Sequence, residues 1–219
     1  MFEAVIFDWD GTLVNSHQIV VASFQKALSE INCRISDEFI KRLVGVGAAE
    51  TIREILRACK ICYDEALINK LVKKKVQKEI EMIDKIKPFA GALELLETLQ
   101  GRVKVGLASM NNREIISLIL RTKNMQKFFD VVITANDIKK SKPNPEIFLK
   151  CAAKLKCKPN KCAVVEDSIF GVEAAKAAKM GCIAVHTGAY SREEINEAKP
   201  ELTVDSLLEI RKILNFIFR

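Results

Sequence analysis

Apolar residues along the chain fall into two rhythms, and the place where one gives way to the other divides it. The run Ala4-Val5-Ile6-Phe7 is continuous and too short for a helix, so it reads as a buried strand. From about residue 16 to 84 the spacing becomes three and four. Val20, Phe24, Ala27, Leu28 and Ile31 mark a first helix, and Phe39, Ile40, Leu43 and Val44 a second, behind the capping candidate Ser36. Ile52, Ile55, Leu56 and Cys59 mark a third, and Ile68, Val72, Val76, Ile80 and Ile83 a long fourth. No convincing strand interrupts them. Gly45-Val46-Gly47 lies in the middle with no strand before it and no third Gly after it, so it reads as a helix-to-helix turn able to face a substrate.

From Lys87-Pro88 onward, short apolar runs alternate with helical patterns. The strands are Val103 to Ala108, Val131 to Thr134, Cys162 to Val165 and Ile183 to His186, with a weaker Leu202-Thr203-Val204. Between them run helices through Leu93, Leu96 and Leu99; through Ile115, Ile116 and Ile119; after Pro145 with Phe148, Ala152 and Leu155; and from about Ile169 to Met180, stopped by Gly181. A last helix carries Leu207, Ile210, Leu214 and Ile217. Strands this apolar, alternating with helices, predict an α/β fold: a Rossmann-like, doubly wound parallel sheet covered on both faces. Residues 1–15 and 85–219 are expected to form that core, with 16–84 inserted as a helical cap domain.

Composition changes little in this picture. With 49% hydrophobic and 29% charged residues, 219 residues suffice for one sizeable core and a smaller satellite. No apolar run reaches the length of a membrane span and no targeting leader is visible, so a cytoplasmic protein with no membrane partner is expected, as a monomer or weak dimer. The net charge of +7 is dispersed among acidic residues. Its densest run, Lys73-Lys74-Lys75, sits in a helical pattern between Val72 and Val76 and reads as a solvated helix face; aromatic residues, at 6%, offer few stacking platforms for nucleic acid. Seven scattered cysteines, an odd number, argue for reduced thiols, and Cys59-x-x-Cys62 lacks a second pair for zinc.

Chemistry concentrates where the strands end. In open parallel sheets ligands gather at the carboxyl ends of strands. There stand Asp8 and Asp10 after the first strand, Ser109 after the second, Lys142 in the Pro-rich loop before a helix, and Glu166-Asp167 after the fourth. Residues i and i+2 of an extended strand point the same way, so Asp8 and Asp10 can face one spot while Trp9 turns inward. Each part has a bland reading: Asp-Gly is a common turn, Ser109 could cap a helix, and Lys142 could be solvated. Together they supply a carboxylate nucleophile, a second carboxylate for proton transfer, more carboxylates for a hard cation, and a hydroxyl and an ammonium for an anion.

Asp8-Trp9-Asp10-Gly11-Thr12-Leu13, the strand end at Ser109, Lys142-Pro143-Asn144-Pro145 and Val165-Glu166-Asp167-Ser168 resemble, in order, the four motifs of the haloacid dehalogenase superfamily of hydrolases. Pro88-Phe89-Ala90-Gly91 resembles the re-entry segment of members with a helical cap. The resemblance implies that Asp8 is the nucleophile and forms an aspartyl-phosphate, with Asp10 as general acid and base. It implies phosphate binding by Ser109, Met110, Asn111 and Lys142. It further implies Mg2+ held by Asp8, the Asp10 carbonyl and Asp167, with Glu166 as ligand or neighbour. The expected activity is a magnesium-dependent phosphatase for a small phosphorylated metabolite such as phosphoglycolate or a sugar phosphate. Two alternatives stand beside it: a catalytically silent binding protein, and a phosphomutase of the β-phosphoglucomutase type. Such mutases carry a His early in the first cap helix and an Arg three residues after a cap-loop Gly. The corresponding positions here are Val20 and Ala48, and His17 lies three residues away from the first.

Overall fold

A computed structural model describes residues 1–219. Strand β1 (Ala4–Phe7) is followed by the two-residue β2 (Val14–Asn15) and four helices: α1 (His17–Leu28), α2 (Asp37–Arg42), α3 (Ala48–Ala58) and α4 (Glu65–Ile80). The chain returns through the short β3 (Lys87–Pro88). It then alternates through α5 (Ala92–Leu99), β4 (Lys104–Ala108), α6 (Arg113–Thr122), β5 (Val131–Ile133), α7 (Glu146–Leu155), β6 (Cys162–Glu166), α8 (Ile169–Ala177) and β7 (Gly181–Val185). Helix α9 (Arg192–Glu197), β8 (Leu202–Val204) and α10 (Ile210–Phe218) complete it. Six strands form one sheet in the order β5-β4-β1-β6-β7-β8, parallel throughout. No helix is long and apolar enough to cross a membrane.

Strand alternation explains why both faces must be covered. Val5 and Phe7 of β1 join Val105 and Leu107 of β4 and Ala163 and Val165 of β6 in one apolar cluster, which α5, α6 and α10 complete. The intervening Ala4, Ile6, Cys162 and Val164 face the opposite cluster, built with α7 and α8. Because β1 lies at the centre, all four of its residues are fully buried. Helices α1–α4 close around a third cluster of their own, from Val20 and Phe24 to Ile68 and Leu71. Ser36 caps α2 as its position implies, accepting the Phe39 N–H at 3.2 Å, and Asp64 does the same for Leu67 at 2.8 Å, each bond contributing about 1 kcal/mol.

The structure moves several expected boundaries. Gly181 is the first residue of β7 and not a helix stop: α8 ends at Ala177, and the absent side chain leaves room for Phe2, whose ring carbon would lie 2.5 Å from a Cβ there. The last helix starts at Ile210, and Leu207 is buried in the turn before it. Helix α9 and the pair β2–β3 had no signature because each is too short to show a period. That pair is antiparallel, Val14 opposite Pro88 and Asn15 opposite Lys87, so the two chain crossings between the helices and the sheet lie side by side. All seven cysteines are free thiols; Cys59 lies 3.2 Å, sulfur to sulfur, from Cys33.

Close packing of α7 on the sheet rests on Gly106, where a Cβ would stand 2.5 Å from Cys151 Sγ and 3.1 Å from Leu155. Gly106→Ala should therefore destabilise the fold by about 1–3 kcal/mol, read from urea unfolding monitored by circular dichroism. Adding Cys151→Ala should return part of the loss. Equal stability of Gly106→Ala and wild type would show that α7 does not depend on this contact.

Candidate active site

The carboxyl ends of β1, β4 and β6 lie next to one another because those strands are neighbours in the sheet. Asp8 leaves β1 with its N–H on the Val165 carbonyl at 2.9 Å, which continues the ladder one residue beyond the strand. Its Oδ1 accepts from Lys142 Nζ at 2.6 Å, and the same ammonium donates to Glu166 Oε1 at 2.6 Å. Lys142 is buried, with Phe148 of α7 beneath it at 4.9 Å from the ring centre. Glu166 Oε2 accepts three bonds of 2.9 Å, from the N–H groups of Asp167 and Ser168 and from the Ser168 hydroxyl. The Ser168 oxygen in turn accepts the Gly171 N–H at 3.1 Å and caps α8. Gly171 carries no side chain because a Cβ would collide with the Glu166 carboxyl.

Asp8, Glu166 and Asp167 each place a carboxylate oxygen within 4.8 Å of the others, all buried. Asp167 accepts from the Thr12 hydroxyl at 2.9 Å. Gly11, with φ of +88°, turns the chain where a Cβ would strike both Asp167 and His17. Burial pushes the Asp8 carboxyl up to about 8; Lys142 opposes that rise and Glu166 adds to it. Burial also raises Asp167, reinforced by Glu166 and Asp8. Lys142 is raised too: burial works against its charge, and the two carboxylates outweigh it. Three largely buried acidic groups thus crowd around one ammonium, which bonds only Asp8 and Glu166. That excess of negative charge, on an oxygen-only donor set, fits a hard divalent cation.

Asp10 does not join this cluster through its carboxylate. Its Oδ1 accepts from the Ser16 hydroxyl at 2.6 Å, and its Oδ2 from Asn111 Nδ2 at 3.2 Å. Asp8 and Asp10 nevertheless line the same cleft, and Trp9 between them is fully buried, as strand alternation requires. Ser109 continues β4 with its N–H on the Ile133 carbonyl at 3.0 Å, and its Oγ accepts the Asn111 N–H at 3.0 Å. Met110 and Asn111 line the cleft, while Ser109 is buried beneath them.

One residue that sequence reasoning placed elsewhere belongs here. Lys75 is not on a solvated face: it is 3% exposed and lines the cleft, whereas Lys73 is exposed and Lys74 pairs with Glu30. Its ammonium bonds Glu79, which is fully buried and accepts from Asn111 Nδ2 at 2.6 Å. Burial raises the Glu79 carboxyl, and Lys75 opposes that. The available signal was phase: Lys75 and Glu79 follow Ile68 and Leu71 on the buried stripe of α4, so a charge run straddled two faces. His17 sits beside Asp167, its Nε2 3.7 Å from Oδ2, too far for a hydrogen bond. Burial lowers its pKa below the usual 6.5, which keeps the imidazole neutral near pH 7. Val20 and Ala48 do line the cleft, with Gly45 and Gly47 beside them.

The chain is similar to known proteins over nearly its whole length. The family model for haloacid dehalogenase-like hydrolases matches residues 5–185. A phosphorylated carbohydrates phosphatase of Thermotoga maritima is 32% identical over 179 residues, covering 80% of this chain and 81% of that protein. A hydrolase from Pseudomonas syringae superimposes with a TM-score of 0.91 at 25% identity, over 98% of this chain and 99% of that one. A β-phosphoglucomutase from Clostridium difficile superimposes with a TM-score of 0.87 at 27% identity, over the full length of both chains. With its parallel sheet, its clustered carboxylates and these likenesses, the chain belongs to the haloacid dehalogenase-like hydrolases.

Proposed function

We propose that the chain is a magnesium-dependent phosphatase that hydrolyses a small phosphomonoester, such as phosphoglycolate or a sugar phosphate, through an aspartyl-phosphate. The observation that carries this reading is the pairing of Asp8 with Asp10 in one cleft, the first bonded to Lys142 and the second held by Ser16 and Asn111. Asp8 attacks phosphorus, and the bond to the leaving oxygen breaks. Asp10 donates a proton to that oxygen and later accepts one from the water that cleaves the acyl phosphate. Two hydrogen bonds fix the Asp10 carboxyl for both tasks. Lys142, Ser109, Met110 and Asn111 hold the phosphoryl oxygens through charge, hydroxyl and backbone donors.

The cation would be held by the Asp8 carboxylate, the Asp10 carbonyl and Asp167. Glu166 already spends both oxygens on Lys142 and the turn after β6, which supports a neighbouring rather than a direct role. When bound, magnesium offsets the repulsion between the acidic cluster and the phosphate. Residues 16–84 act as a cap on this reading, moving about the paired crossings at β2 and β3 to exclude water. The cleft beneath the helices is about 30 Å³, near the share of one water molecule, which is consistent with a closed arrangement.

Similarity to a β-phosphoglucomutase favours a second reading, phosphoryl transfer back to a bound intermediate. Against it, the cleft positions Val20 and Ala48 offer neither a proton-relay imidazole nor a second phosphate clamp. With β-glucose 1-phosphate, magnesium and a trace of the bisphosphate, free phosphate should therefore appear faster than glucose 6-phosphate; the reverse order would establish the mutase.

Asp8→Asn should abolish release of p-nitrophenolate from p-nitrophenyl phosphate while circular dichroism shows a folded chain, and near wild-type turnover would exclude Asp8 as nucleophile. Asp10→Asn should lose about 10²–10⁴-fold with an alkyl phosphate and less with the nitrophenyl ester, whose leaving group needs little protonation.

The raised Asp8 carboxyl sets a pH dependence in the metal-free protein. With a pKa near 8 in the fold against an ordinary 3.8, the folded state binds the proton more tightly than the unfolded chain does. Its contribution to stability is complete below the unfolded pKa and is lost as pH rises through about 8. In chelator, the thermal midpoint should fall between about pH 5 and about pH 9, and both Asp8→Asn and added magnesium should flatten that fall. An Asp8→Asn profile parallel to wild type would assign the pH dependence to other groups.

A further inference from the structure

The wall of the cleft opposite Asp8 comes from helices α1, α3 and α4, and its one charged group is Lys75, the only cationic side chain among the lining residues. That charge is not free. Its Nζ bonds the buried carboxylate of Glu79 one turn further along α4 and lies 3.4 Å from Asn111 Oδ1. Asn111 Nδ2 bridges Glu79 Oε1 at 2.6 Å and Asp10 Oδ2 at 3.2 Å, which brings a second carboxylate to the same wall.

We propose that Lys75 and Glu79 together select the leaving group of the substrate: a neutral alcohol carrying hydroxyls, a polyol or sugar, in preference to one carrying a carboxylate. The inference rests on the phosphatase reading above and narrows the substrate class within it.

Charge arithmetic favours the neutral group. One ammonium and one carboxylate sum to zero, and passing the proton from nitrogen to oxygen leaves the sum unchanged. A carboxylate entering beside them gains no uncompensated cation and meets Glu79 and Asp10, both within one hydrogen-bonded network through Asn111. It would also lose its water, a cost that burial makes large without a full partner. No other side chain of that wall supplies one: Val20, Phe24, Leu43, Val44 and Ala48 are apolar, and the Thr51 hydroxyl donates to the Leu43 carbonyl at 3.2 Å. Lys142 cannot help either, since it is bonded to Asp8 and Glu166 on the phosphoryl side.

A hydroxyl suits the same wall. It accepts from Lys75 and donates to a carboxylate oxygen, so it can insert at the ion pair without leaving either charge unpartnered. The carbon skeleton of a short polyol meets Val20 and Phe24, whose ring lies 5.2 Å from Lys75 Nζ.

The test compares kcat/KM with magnesium for glycerol 3-phosphate and 2-phosphoglycolate, with p-nitrophenyl phosphate reporting the chemistry itself. Wild type should prefer glycerol 3-phosphate by about tenfold or more, and Glu79→Gln, which releases the Lys75 charge, should move that ratio about tenfold toward phosphoglycolate. The wild-type ratio decides even where the variant does not fold. If wild type hydrolyses p-nitrophenyl phosphate but prefers phosphoglycolate, or if a folded Glu79→Gln keeps the wild-type ratio, the selectivity is overturned and the phosphatase reading stands. No hydrolysis of any of the three would overturn both.

Discussion

The ammonium of Lys142, bonded at 2.6 Å to both Asp8 and Glu166, is the interaction on which the site depends. It joins the ends of two neighbouring strands, β1 and β6, to the loop that precedes α7. All three groups are buried, so each is tolerable only in the presence of the others; removing one partner of a buried pair leaves an uncompensated charge that typically costs about 3–5 kcal/mol. Glu166 extends the constraint by binding the two N–H groups of the turn that follows it, and Ser168 passes it on to the first turn of α8. A packed sheet thereby holds acidic groups at a density that solvated loops would not sustain.

Helices α1–α4 answer to a different constraint. Most of their apolar residues close on one another, while Val76 of α4 joins the core under the sheet; the polar bonds toward the sheet edge are those of Lys75 and Glu79 with Asn111, and of Arg42 with Glu194 at 2.6 Å. The Tyr190 hydroxyl adds a 2.5 Å bond to the Arg42 carbonyl. The Arg42 pair is partly exposed and contributes about 0–1 kcal/mol, whereas the α4 network is dry and its bonds are correspondingly stronger. A separate apolar cluster suits the reading of residues 16–84 as a cap.

The chain is similar in sequence to a phosphatase and in structure to a phosphomutase, so the fold alone does not decide between hydrolysis and transfer; on the proposed reading that choice lies with side chains of the cleft wall. On that reading Val20 and Ala48 are apolar at the positions where the resemblance implies that a phosphomutase carries a His and an Arg, and the charge of Lys75 is neutralised within one turn of α4. Specificity in such a cleft follows from which polar atoms are left without a partner when a given leaving group enters.

Local order in the chain was enough for the parallel sheet, since unbroken apolar runs bounded by helical spacing have few other ways to hide two faces. It was also enough to bring Asp8, Asp10, Ser109, Glu166 and Asp167 to one edge, because strand ends carry their following residues there, whereas Lys142 reaches that edge from the loop before α7, and Met110 and Asn111 were singled out only by the resemblance to the family. Short elements escaped: β2, β3 and α9 are stabilised by contacts, not by a period of their own. The split between the Asp8 cluster and the Asp10 pair with Ser16 and Asn111 is a matter of side-chain rotation, which spacing along a strand does not specify. Lys75 shows the limit most plainly. Beside Lys73 and Lys74 it is one of three alike; only the packing of α4 over the sheet edge turns it away from water, toward the carboxylate that makes its burial tolerable.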